Sequence, residues 1–201
     1  GGAGLSTVLI ADDLDCDGIG NADEGFIQFS GILQDVPDAS LLGWSTCHSD
    51  TYADDRETSI DSMLESCGGA YVMMGCREVG SDSWQLLAMG ERNEVFKNDG
   101  GGWNTVNTHN GVDFYFSGSR SMGFAGVGTG VSLNSCDTRD NEGELRMCWH
   151  TSGGYLESGY RCGNNFPWNE YERRVWTFCE GDADCDGVPT AEDCDDANAA
   201  V

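Results

Sequence analysis

Residues 70–90, AYVMMGCREVGSDSWQLLAMG, decide how this chain is read. Two apolar runs of strand length are parted by Gly80, Ser81 and Asp82, which are turn formers, and neither run shows the three-to-four spacing of a helix face. The same punctuation recurs along the chain. VDFYFSG (112–118), SMGFAGVG (121–128), ELRMCWHT (144–151), GYRCG (159–163) and ERRVWTFCE (172–180) each read as a short strand bounded by Gly, Asn, Asp or Ser. One segment departs from this pattern. DDRETSIDSMLESCGG (54–69) places Ile60, Met63, Leu64 and Cys67 at i, i+3, i+4 and i+7, with Gly68 and Gly69 as a stop, and is expected to be helical. The expected fold is therefore mainly β and β-sandwich-like, with one short helix. Trp44, Trp84, Trp149, Trp168 and Trp176 fall in or beside expected strands, where core packing is their use.

Ten cysteines in 201 residues, without paired CxxC clusters, point to a disulfide-rich framework rather than a structural zinc site. Such a framework belongs to an oxidising compartment. No apolar run approaches the length that spans a bilayer, and no signal-like leader is present, so the expectation is a mature, soluble, extracellular chain with no transmembrane segment.

The formal charge is −25, from ten Lys plus Arg against thirty-five Asp plus Glu. All the basic residues lie between Arg56 and Arg174, leaving both ends purely acidic. Nucleic acid and anionic membrane need a basic patch to neutralise phosphate, so neither is expected as a partner. Hard cations fit better. Four zones follow: residues 1–11, a glycine-led, strand-like extension with Leu5 to Ile10 rich in β-formers; residues 12–25, an acidic loop; residues 26–179, the body; and residues 180–201, an acidic tail.

The acidic zones carry one motif twice. DLDCDGIGNADE sets Asp13, Asp15 and Asp17 at positions 1, 3 and 5, Gly18 at 6, and Glu24 at 12, matching D-x-[DN]-x-[DN]-G-x5-E throughout. The carboxylates converge as the chain curls around Gly18, Ile19 supplies a carbonyl at position 7, and Asn21 stands at the often water-mediated position 9. DADCDGVPTAED repeats the scheme with Asp182, Asp184, Asp186, the carbonyl of Val188, Thr190 and the shorter closing Asp193. Both are expected to be EF-hand-like calcium loops, with calcium preferred over magnesium because the latter dehydrates reluctantly. Extracellular modules of this kind bind calcium at ~10⁻⁴–10⁻³ M, which makes the ion a structural staple. Cys185 and Cys194 flank the second loop, and a disulfide between them would clamp it. Cys16 has no such neighbour. It pairs far away in sequence, pairs with another chain, or stays free.

These loops resemble the calcium loops of thrombospondin type 3 repeats and of dockerins. The ending DADCDGVPTAEDCDDANAAV is particularly similar to the repeated metal-binding motif of secreted bacterial proteins of the MopE type. The resemblance covers the two terminal segments and leaves the body unassigned.

Catalytic signatures are sparse. His48 follows Cys47 and His150 lies two residues after Cys148, but a cysteine held in a disulfide is neither nucleophile nor metal ligand. No GxSxG, HExxH, Walker or dinucleotide fingerprint occurs, so a secreted hydrolase ranks last and the chain is expected not to be an enzyme. GGWNTVNTHNGVDFYF (101–116) offers an alternative: Trp103 could stack on a sugar face while Asn104, Asn107, Asn110 and Asp113 hydrogen-bond it, making a carbohydrate-binding or adhesive module. His109 in the same loop reads as a surface or turn residue. The favoured reading is a self-assembling subunit of an extracellular filament or surface appendage. In it, the N-terminal strand completes a sheet edge on its own body or on the next molecule, and a head-to-tail contact that does not close gives a homo-oligomeric polymer.

Overall fold

A computed structural model describes residues 5–8, 26–41, 43–54, 57–98, 104–133, 136–138, 144–159, 161–164 and 169–179. The expected strands at residues 70–90 are present as an antiparallel pair, β5 (Tyr71–Glu78) and β6 (Ser83–Glu91), with Tyr71 opposite Glu91. They sit inside a five-stranded antiparallel sheet ordered β3-β6-β5-β14-β4, completed by β3 (Ile32–Pro37), β4 (Ser45–Thr51) and β14 (Tyr171–Phe178). A second five-stranded antiparallel sheet runs β13-β12-β9-β8-β7. Its strands are β7 (Asn107–His109), β8 (Val112–Phe116), β9 (Ser121–Gly126), β12 (Arg146–Ser152) and β13 (Tyr155–Glu157). Two small pairs stand apart: β1 (Leu5–Val8) with β2 (Phe26–Phe29), and β10 (Val131–Ser132) with β11 (Asp137–Thr138).

Both sheets feed one core. Val72, Met74 and Cys76 of β5, Leu86 and Ala88 of β6, and Val175 of β14 pack with Phe114, Phe124, Met147 and Trp149 of the second sheet. The opposite faces are covered as well. Met73, Trp84, Leu87, Met89, Trp176 and Phe178 form a second cluster with Phe29 and Trp44, while Tyr115, Ala125 and Cys148 are covered by Val131, Leu133 and Cys136. Strands buried on both faces have no polar side to display, which is why β5 reads as an unbroken apolar run. Close approach explains two glycines. A Cβ on Gly75 would lie 2.8 Å from the Leu86 carbonyl oxygen, and one on Gly123 2.2 Å from that of Met147.

The expected helix is α1 (Ile60–Ser66), opened by Ser59, whose hydroxyl accepts from the Ser62 N–H at 3.1 Å. Ile60 and Met63 are buried, and the helix ends at Cys67, before the two glycines. Arg92, which begins a single further turn α2 (Arg92–Val95), donates to the carbonyls of Leu64 and Cys67, both at 2.7 Å, and so satisfies the last turn of α1. Three disulfides are described: Cys47–Cys67 joins β4 to α1, Cys76–Cys162 joins the first sheet to the loop after β13, and Cys136–Cys148 anchors β11 on β12. The described residues of GYRCG do not form a strand. Among its described residues only Cys162 makes an isolated bridge, to Met147.

Candidate functional site

Several residues singled out by sequence lie outside the described residues: Asp13, Asp15, Asp17, Ile19, Asn21 and Glu24; Asp182, Asp184, Asp186, Val188, Thr190 and Asp193; Cys185 and Cys194; and Trp103 and Trp168. Among the described residues, no group of three or more His, Cys, Asp or Glu side chains is placed to hold a metal.

Most of the polar side chains of the asparagine-rich segment are engaged within the fold. Asn104 is exposed. The Asn107 amide donates to the Glu94 backbone oxygen at 2.7 Å and to its carboxylate at 2.9 Å, tying β7 to α2. Asp113 is buried, accepting from the Thr108 hydroxyl at 2.5 Å and the Gly128 N–H at 2.8 Å. Asn110 and Gly111 form the β7–β8 turn with φ of 49° and 76°. Positive φ at both central residues is the requirement of a tight hairpin turn, for which Asn-Gly is the favoured dipeptide.

That turn reaches the first strands of the chain. The Asn110 amide donates to the carbonyls of Phe29 at 2.7 Å and Met89 at 2.9 Å, and the Asn110 carbonyl accepts from the Gly31 N–H at 2.8 Å. Phe29 itself is buried in the aromatic cluster, with its N–H directed at the Met89 sulfur, 3.4 Å away. Thus β2 is fixed to the body by one plug and one clamp. A groove runs alongside it, bordered by Gln28, Tyr71, Glu91 and His109. The sequence signal for this clamp is the Asn-Gly dipeptide immediately before the strand-like run VDFYF.

On β2 lies β1, in register from Leu5 opposite Phe29 to Val8 opposite Phe26. Neither strand joins the five-stranded sheets. The edges of those sheets are blunted in ways that discourage strand addition. In β3, Asp35 has φ 54°, drops out of the register with β6, and is followed by Pro37. β7 and β13 have three residues each. The β4 edge is polar, is shifted in register opposite Val175 and Trp176, and is tied down by Cys47.

His48 and His150 belong to other surroundings. His48 lies 3.2 Å from the Asp50 carboxylate, which also receives the Trp149 indole N–H at 2.8 Å and a bidentate Arg173 at 2.9 and 3.0 Å. Arg173 has no solvent exposure and stacks over the rings of Tyr52 and Trp149. Burial pushes the Asp50 carboxyl up, but the Arg173 charge and the His48 contact outweigh it and hold the pKa below the ordinary value. His150 is held low by partial burial, and the Tyr52 phenol is pushed up by complete burial while donating to the Arg161 carbonyl at 2.7 Å. This network bridges the two sheets and is closed by its own partners. The cysteines beside these histidines, Cys47 and Cys148, are both in disulfides.

The chain matches no protein-family model, no curated protein and no solved structure.

Proposed function

We propose that this chain is a calcium-stabilised extracellular structural protein that assembles head to tail into a filament, each molecule giving its β1 to the β2 of the next. The observation that carries this reading is the separate β1–β2 ribbon. Its acceptor strand is anchored to the body through Phe29 and Asn110, and its donor strand pairs with that acceptor from Leu5 to Val8 without joining either five-stranded sheet. Because the same backbone hydrogen bonds form whether β1 comes from within the chain or from a neighbour, the exchange costs little enthalpy. Residues 9–25 link the strands and carry the first acidic loop, so calcium there would stiffen the junction. The disulfides agree with an oxidising compartment, and no helix among the described residues is long and apolar enough to cross a membrane.

The carbohydrate reading has less support, because the polar side chains of Asn107, Asn110 and Asp113 are engaged within the fold. The test is electron microscopy with calcium of the full chain and of a chain lacking residues 1–11. Filaments from the first and isolated particles from the second are expected.

A further inference from the structure

We infer that Asn110–Gly111 is a site of spontaneous deamidation, gated by the clamp on β2, and that the conversion frees β2 from the body. It is the one Asn-Gly dipeptide in the sequence. Gly111 is exposed and has no side chain to shield its nitrogen, while Asn110 is half-buried, so solvent reaches the turn. In the reaction, the Gly111 backbone nitrogen bonds to the side-chain carbonyl carbon of Asn110. The amide nitrogen leaves as ammonia, carrying off the proton of the Gly111 N–H. Water then opens the five-membered succinimide at either carbonyl and leaves aspartate or isoaspartate at position 110. One water is consumed and one ammonia released, with no oxidant and no cofactor.

The clamp is the gate. The Asn110 amide nitrogen donates to the carbonyls of Phe29 at 2.7 Å and Met89 at 2.9 Å. The Asn110 backbone oxygen is held as well, by the Gly31 N–H at 2.8 Å and the Ser30 hydroxyl at 3.3 Å. Ring closure swings the side chain onto the Gly111 nitrogen and so breaks both amide contacts. The rate therefore follows the fraction of molecules in which β2 has let go.

The product cannot rebuild the clamp. A carboxylate only accepts hydrogen bonds, so it would face two carbonyl oxygens with no hydrogen to share. Its charge is added beside Glu91, which borders the same groove. The isoaspartyl form also lengthens the main chain between positions 110 and 111, in a tight turn where a Cβ on Gly111 would already lie 3.2 Å from the Gly31 nitrogen. Release is irreversible, and it falls on the strand that the proposed assembly uses as acceptor. The chemistry does not depend on that assembly.

Ageing the full chain at mildly alkaline pH, once folded and once in denaturant with its disulfides reduced, tests this by peptide mass. Cleavage after Lys and Arg gives peptide 98–120, in which Asn98, Asn104 and Asn107 serve as internal references. Asn110 is expected to convert ahead of all three in both samples, and about tenfold more slowly in the folded chain, as two hydrogen bonds of ordinary strength imply. The folded product, and the variant Asn110→Asp, should both exchange the amides of Phe26–Phe29 about tenfold faster while β5 and β6 stay slow. Three results would overturn the inference: equal rates in the two samples, an Asn110 still intact in the folded chain long after the denatured sample is spent, or unchanged exchange in the product. Mass and exchange are read on the single chain, so the outcome is separate from whether it polymerises.

Discussion

Arg173 and Asp50 bear opposite charges where the two sheets meet, and their hydrogen bonds run to each other, to backbone carbonyls and to His48 and Trp149. Removing one partner strands the other. Asp50→Asn should cost about 3–5 kcal/mol, read as a fall in the denaturation midpoint at neutral pH. The pH dependence has a definite sign. Because the folded pKa of Asp50 lies below the unfolded one, its contribution is complete above roughly pH 4 and is lost as pH falls through the lower folded value. The variant should lack that part of the acid-dependent slope in denaturation curves recorded from pH 6 downwards. Asn110 plays a local part. Asn110→Gly keeps the positive φ but removes the amide, and should loosen β2 by about 1–2 kcal/mol for two lost hydrogen bonds. Amide exchange at Phe26–Phe29 should quicken while that of β5 and β6 stays slow. An unchanged rate would mean that Phe29 alone secures the strand.

Among the elements, those buried on both faces were legible in sequence. β5, β6, β8, β9, β12 and β14 each carry a short apolar stretch bounded by turn formers, and α1 shows its spacing and its stop. The edge strands were not legible. In β3 (ILQDVP) the apolar residues are interrupted by Gln34 and Asp35, β4 (STCHSDT) is almost wholly polar, and β7, β10, β11 and β13 are too short to show a period. GYRCG reads as a strand by composition but is held by contacts invisible in sequence. Cys162 is pinned to Cys76, and a Cβ on Gly159 would fall 2.2 Å from the Cys148 carbonyl oxygen. β1 was legible as a strand, though not its partner β2, because pairing across an acidic loop leaves no local signature. If β1 joins molecules, Thr7→Pro, which removes an N–H from the middle of the strand, should reduce filament yield at least tenfold with the body's thermal transition unchanged. Yield is read by sedimentation, and undiminished pelleting would count against strand exchange.

For the whole molecule, the charge of −25 opposes any close packing of copies, and its acidic ends are where neighbours would meet. Two calcium ions would offset part of that repulsion at the junction. Asp17→Ala and Asp186→Ala should each lower calcium stoichiometry by about one ion in calorimetry, and chelation should shorten or disperse filaments. Unchanged stoichiometry in either variant would remove that loop from the scheme. Assembly itself is tested most directly by negative-stain microscopy of the purified chain in calcium, with and without residues 1–11. Filaments from the full chain and only isolated particles from the shortened one are predicted. Isolated particles at every concentration of the full chain, or filaments that survive the deletion, would contradict assembly through β1.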